Sequence, residues 1–300
     1  MTAVQGDAAV FAALEASLTR GRRAKNLLAT AWMAGSLVVA LVPLGWVVFY
    51  LIQNGASSFS LEFLTESIPV SSRGYGPGMG PAVIGTLLIT LMATVLAVPL
   101  GVLGAIYLNE YGAKSRLASV IRLMSDVMTG VPSIVMGLFI YTVWVLNFGL
   151  SGFAGSLALA CLMLPIVIRS TEEMLRLVPD ELRQASMALG NSKWRTIVTV
   201  VLPAALPGLV SGVMLAVARA AGETAPIVFC VGVVSDTNWN LFDGSNTTLA
   251  AQIFANAQLP YPGAQERAWG AAFTLVLLVF LLTVAARVIT NRYSKKRGGA

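Results

Sequence analysis

Arg219 and Glu223, four residues apart in LAVARAAGETAPIVFCV, are the only charged side chains between Thr196 and Ser235. At a bilayer centre each such group costs about 2.5–3.5 kcal/mol on insertion scales, so two of them in an apolar run ask for a chemical reason. One reading is structural: an ion pair that pins two helices together. The other is an anion route, in which the planar donor fork of Arg219 meets the oxygens of a passing oxyanion and Glu223 holds and neutralises Arg219 when none is present. Buried ion pairs rarely outweigh the desolvation of their charges against an apolar replacement, which favours the second. Ser133, in GVPS beside Pro132, could lend a hydroxyl to the same route or serve only as a turn or cap.

Other chemistries find few tools. The chain has no histidine, which removes imidazole ligands, His-based triads and the usual proton shuttle. Cys161 and Cys230 lie in apolar runs without metal-like spacing and read as small buried hydrophobes, so no catalytic or metal site is expected. The GAKS at 112–115 lacks the second glycine of a phosphate-binding loop and sits in a loop after a span. An ATP site is therefore not expected in this chain.

The elements that must position these residues follow from composition. Of 300 residues, 56% are hydrophobic and 11% charged, far from the roughly 25% charge of soluble domains, so the chain is read as an all-α integral membrane protein. The net charge of +6 is scattered between apolar runs and not gathered on one face, which argues against nucleic acid. Six stretches approach the roughly 20 residues a spanning helix needs: Leu27–Ile52, Ala82–Leu108, Val127–Leu146, Phe148–Ile168, Leu206–Val233 and Trp269–Val288. On these bounds Arg219 lies about 20 Å along the fifth span, on one face with Glu223, and Pro226 would leave a carbonyl free near Gly222.

Lys and Arg in short flanks mark the cytoplasmic side. Arg20, Arg22, Arg23 and Lys25, then Lys114, Arg116 and Arg122, then Arg169, Arg176, Arg183, Lys193 and Arg195, and finally the Arg287–Arg297 cluster all fall on one side. Only Arg73 and Arg267 fall on the other, so both termini are expected in the cytoplasm. The organisation reads as a cytoplasmic segment 1–26, a first span 27–52, an outer loop 53–81, a core 82–288 and a basic tail 289–300. The glycines and prolines of RGYGPGMGP end that outer loop. A short helix is expected near Thr247–Ala257, and the Asn246-Thr247-Thr248 sequon is read as coincidence.

The inner loop 169–205 is too patterned for a linker. Pro179, Asp180 and Glu181 open a run with apolar Leu182, Ala185, Met187 and Leu189 that stops at Gly190, the marks of a short capped helix. A second helix from Asn191 or Ser192 is expected to run until Pro203 and Pro207 interrupt it. Two helices projecting from a membrane bundle make a docking surface. Glu172 and Glu173, just before them, read as solvated partners of Arg169 or Arg176, or as gate residues.

At these residues the sequence resembles a family. LRQASMALGNSKW followed by VLPAALPG is similar to the coupling loop of ABC importer permeases, with Gln184 where the motif usually has Glu, then Ala185, Ser186 and Gly190. GMGPAVIGTLLIT, PLGVLGAIYLNEY, GVPSIVMGLF, LMLPIVIRSTEEMLRLVPDELRQAS and ARAAGETAP resemble, in that order, the permease subunits of phosphate-specific ABC importers, the A-type more than the C-type. The resemblance implies a type I importer permease bundle of six transmembrane helices in a bacterial plasma membrane. It also implies contact through the coupling loop with a homodimeric ATP-binding subunit that holds ATP-Mg, a related C-type permease subunit, an extracytoplasmic phosphate-binding protein, and a transport role for Arg219 and Glu223. A different oxyanion such as sulfate or molybdate, a gradient-driven transporter and a membrane sensor are the rival readings.

Overall fold

The computed structural model describes residues 20–74, 76, 78–112 and 115–297. Most of the N-terminal segment, Tyr75 and Pro77 of RGYGPGMGP, Lys114 and the last three residues of the tail lie outside them. The described residues are helical apart from turns and loops. The chain divides into residues 1–53 and 54–300; the described part of the first unit is α1 (Arg20–Gly55), exposed from Gly21 to Tyr50, whose last two residues belong to the second unit.

The second unit opens with a 3₁₀ turn (Ala56–Ser58) and α2 (Leu61–Thr65), whose N-cap Ser60 accepts from the Phe63 amide at 3.0 Å. Then come α3 (Gly80–Ile106), α4 (Arg116–Gly130), α5 (Ser133–Ile140), α6 (Gly152–Arg176), α7 (Asp180–Ala188), α8 (Lys193–Thr196), α9 (Leu202–Ala221), α10 (Ala225–Cys230), α11 (Leu249–Ala257) and α12 (Pro262–Arg297). Three π-turns interrupt or close these: Tyr107–Tyr111 after α3, Tyr141–Val145 after α5 and Ile197–Val201 between α8 and α9.

Helices α3 and α6 form the most extensive pair. On α3 every fourth residue from Gly85 to Ala105 (Gly85, Ile89, Ala93, Ala97, Gly101, Ala105) is buried, a single small-residue stripe. Small residues let membrane helices approach closely enough for backbone packing. A Cβ at Gly101 would lie 2.6 Å from Val167 Cγ1 of α6. Ile89, Ala93 and Ala97 meet Leu159, Met163 and Val167 of α6, Val213, Ala216 and Ala220 of α9, and Ile227 of α10 in one core.

Among the described residues, five helical stretches are long and apolar enough to cross a membrane: Gly21–Ser58, Gly80–Tyr111, Gly152–Arg176, Lys193–Ala221 and Pro262–Ala285. The expected third span, Val127–Leu146, is instead a pair of helices, Arg116–Gly130 and Ser133–Phe148, bent by 105°. Val131 and Pro132 are extended at the junction, because a residue before proline is pushed out of the helical region and proline itself supplies no amide donor.

The expected fifth span is displaced. It runs from Lys193 to Ala221, and Val233 is not in it. Pro203 and Pro207 do not interrupt it: Pro203 directly follows the π-turn that ends at Val201, and Pro207 lies inside α9. The helix that was expected to stop at these prolines is thus the start of the crossing. The outer helix is found at Leu249–Ala257, capped by Thr248, whose hydroxyl accepts from Ala251 N at 3.2 Å. Asn246, beside it, is buried; it accepts from Gly152 N and donates to Asn238 O, both at 2.7 Å. That is a structural role, and a buried amide is closed to glycosylation.

Candidate functional site

Arg219 occupies the last turn of α9, which ends at Ala221 with Gly222 as its C-cap. Counted from Lys193, it lies about 39 Å along the crossing at 1.5 Å per residue, at the end of the bundle opposite α7 and α8. The mid-span depth expected for it is corrected accordingly. Glu223 lies past the helix end, its amide bonded to Ala220 O at 3.2 Å. The pair is made across the break: Arg219 Nε donates to Glu223 Oε1 at 3.4 Å, with the arginine side chain 67% exposed and the carboxylate 18%. One long contact to a largely exposed guanidinium contributes little to stability. It engages only Nε of a guanidinium that is largely exposed.

Pro226 plays a different part from the one expected. It sits in the first turn of α10, where a missing N–H removes nothing, so it frees no carbonyl near Gly222. It is instead a packing point: a Cβ at Gly137 of α5 would lie 2.5 Å from Pro226 Cα. Glycine there lets α5 lie directly on α10. Ser133 opens α5 one turn earlier, half-buried, and no side chain caps that helix. The break after Arg219 is therefore held by the same bent element that carries Ser133.

The other candidate residues sit at the far end of the bundle. Helix α7 begins at Asp180 after Pro179 and ends before Gly190, whose φ of +86° explains the glycine. Gln184, Ala185 and Gly190 are exposed, while Ser186 is buried. The Ser186 hydroxyl meets that of Thr196 at 2.9 Å and accepts from Asn191 Nδ2 at 3.3 Å, so it locks α7 to α8 and offers nothing to a partner. Leu182, Met187, Leu189 and Trp194 are exposed. The pair thus presents apolar side chains around Gln184 and Ala185.

Two ion-pair nodes fix this end, one absent from the sequence reading and one only partly foreseen by it. Arg183 Nε and Nη2 reach Glu110 Oε1 at 3.2 and 3.0 Å. The same guanidinium donates to Leu175 O at 2.8 Å, Val178 O at 2.5 Å and Asp180 Oδ1 at 3.1 Å. Lys193 Nζ donates to the Glu110 carbonyl and stacks over Tyr111. Helices α3, α6, α7 and α8 are thereby joined through one π-turn. In the second node Glu172, only 1% exposed, accepts from Arg122 Nε at 2.8 Å and Arg176 Nη2 at 2.6 Å, with Arg169 Nη1 3.8 Å from its other oxygen. Arg122 also donates to Leu108 O at 2.9 Å, and Arg169 pairs with Asp126. The pairing expected of Glu172 is present, but buried and not solvated. The i,i+3 and i,i+4 contacts to Arg169 and Arg176 were visible as spacing; those to Arg122 and from Arg183 to Glu110 span 50 and 73 residues and leave no local signal.

Residues 97–296 match the family model described as the inner membrane component of binding-protein-dependent transport systems. The chain belongs to this family. Among relatives of this permease, a protein named phosphate transport system permease protein PstA 1, from Mycobacterium tuberculosis strain H37Rv, is 44% identical over 284 residues, covering 93% of this chain and 92% of that protein. The phosphate transport system permease protein PstA of Yersinia pestis is 42% identical over 278 residues, 92% of each. Solved structures share the fold. An inward-facing MetNI methionine ABC transporter aligns with a TM-score of 0.57 and 21% identity over 71% of this chain and 93% of that one. A bacterial transporter importing the polysaccharide alginate aligns with a TM-score of 0.61 and 12% identity over 91% and 98%.

Proposed function

We propose that the chain is the A-type permease subunit of an ATP-driven importer that carries inorganic phosphate across the bacterial plasma membrane. One observation carries the reading: a chain 44% identical over 93% of its length to a phosphate transport permease ends its α9 crossing with a guanidinium that is largely exposed. Arg219 meets phosphate in transit, Glu223 holds it between cycles, and Ser133 on α5 adds a hydroxyl. A single arginine binds weakly, which suits a conduit that must also release.

The termini and the α7–α8 pair face the cytoplasm, where Gln184, Ala185 and the exposed apolar side chains receive a homodimeric ATP-binding subunit. ATP-Mg belongs to that partner. A C-type permease subunit completes the conduit, and an extracytoplasmic phosphate-binding protein delivers the anion to the outer loops. ATP binding moves α7 and α8; because Arg183 and Lys193 tie them to the end of α3, the displacement reaches the bundle.

The test is ATP-driven uptake of labelled phosphate into vesicles containing the assembled complex, comparing the unaltered chain with Arg219→Gln at matched assembly. Loss of a charged hydrogen-bonding group predicts uptake lower by about 10- to 100-fold. Undiminished uptake refutes the role of Arg219. Uptake of sulfate or molybdate in place of phosphate refutes the cargo.

A further inference from the structure

The exposed residues of α9 are Ala204, Ser211, Leu215 and Arg219. Steps of seven, four and four residues place them in one stripe, since 3.6 residues make a turn. The opposite face, with Leu209, Val213, Ala216 and Ala220, is buried in the core against α3 and α6. Leu215, 68% exposed, is the one large apolar side chain of α9 left open. Charged side chains in a spanning helix turn towards protein or water and away from lipid. The stripe that carries Arg219 therefore faces water or another chain, and Leu215 and Ser211 share that surface.

An anion leaving Arg219 for the α7–α8 end meets Leu215 first, one turn or about 6 Å further in. Ser211 comes a turn later, but its hydroxyl donates to Pro207 O at 2.9 Å, so its proton is already used. Ala204 has no donor to offer. Along α9 the stripe thus gives an anion a side-chain donor at Arg219 and an apolar wall directly inside it. A bulky apolar side chain at a constriction excludes water and stops a hydrated ion. The same helix reaches the docking end: the crossing runs unbroken from Lys193 to Ala221, and the Ser186–Thr196 contact fixes its first turn to α7. Gly208 and Gly212 seat it on α6, where an added Cβ would lie 2.1 Å from Met174 Sδ and 2.5 Å from Ser170 Cβ. A displacement of α8 is therefore carried along α9 to Leu215, about 33 Å from Lys193.

We propose that Leu215 is the seal of the anion route: it closes the path one turn inside Arg219, holds phosphate there, and withdraws when α8 moves. The proposal rests on the route past Arg219 and adds the residue that stops leakage through it. The test is passive efflux of labelled phosphate, with labelled sulfate in parallel, from liposomes holding the assembled complex without ATP or the binding protein.

Leu215→Ala is expected to raise phosphate efflux by about tenfold or more, since the shorter side chain lowers the barrier, and to lower the phosphate carried per ATP hydrolysed. Leu215→Met, of similar volume, restores the seal. A side chain that merely packs would alter assembly or stability, and neither opens a path for ions. Efflux from Leu215→Ala equal to that of the unaltered complex at matched assembly overturns the proposal. Loss of the C-type subunit on purification without a leak also overturns it, because Leu215 is then an interface contact. ATP-driven uptake by the unaltered complex separates the readings. Phosphate uptake there with no leak in Leu215→Ala removes the seal alone, and a leak of sulfate without phosphate keeps the seal and removes the cargo. No phosphate uptake and no leak of either anion removes the route and the seal together.

Discussion

Replacing Arg183 with glutamine should uncouple ATP hydrolysis from uptake. The side chains of Arg183 and Glu110 are 14% and 7% exposed, so water screens their interaction little. Removing one partner of a buried ion pair costs about 3–5 kcal/mol. The variant also strips donors from the carbonyls of Leu175 and Val178, while Asn109 Nδ2 still reaches Glu110 Oε1 at 2.8 Å and softens the loss. The low end, about 3 kcal/mol, is therefore expected.

Apart from the bond to Asp180 within α7, the bonds lost tie α7 to the elements beneath it, so the cost falls on the docking of α7 and multiplies its undocked population by about 150. Hydrogen exchange over residues 177–190 in the assembled complex should rise by a comparable factor, and phosphate carried per ATP hydrolysed should fall at least about tenfold. Glu110→Gln should do the same to a lesser degree, and the double variant should cost less than the sum. Unchanged exchange and an unchanged transport ratio in Arg183→Gln would refute the lever.

Three further outcomes are expected. Gly137→Ala places a methyl 2.5 Å from Pro226 Cα; backbone must yield, so thermal stability of the complex should fall by about 1–3 kcal/mol and uptake with it. Leu189→Asp, at a position 85% exposed, should leave thermal stability within about 0.5 kcal/mol yet reduce co-purification of the ATP-binding subunit. Glu172→Gln sets Arg122, Arg169 and Arg176 together without their central carboxylate, and the melting temperature of the complex should drop in line with a loss of about 3 kcal/mol, more than for Glu173→Gln.

What could be read in advance was what is locally encoded. Long apolar runs revealed the crossings because backbone groups in lipid must be satisfied within the helix, and Pro179-Asp180 with Gly190 bounded α7 because caps are short-range chemistry. The bend at Val131–Pro132 was missed because hydropathy runs through it unbroken; Pro132 was noted beside Ser133, and its geometric consequence was not. The end of the fifth crossing was placed too late because Ala225–Cys230 is as apolar as the helix before it, although Gly222, Thr224 and Pro226 loosen the turn at the break. Arg219 stands out in the sequence as a charged side chain in an apolar run, but its place along the helix depended on that misplaced boundary. The Arg183 and Arg122 contacts depend on helix packing across many residues, which no periodicity records.

The π-turns give the chain an uneven tolerance to changes in its own length. Each closes i→i+5 rings where an α-helix closes i→i+4, and so carries one residue more than the helix needs. Removing a residue from Ile197–Val201 would restore α geometry and leave the faces of α8 and α9 aligned as they are. Removing one from the middle of α9 would rotate Arg219 by about 100° relative to the α7–α8 pair, since 3.6 residues make a turn. Single-residue deletions in descendants of this chain should therefore survive at 197–201 and be purged from α9, so that chain length itself records where the two ends of the bundle must keep step.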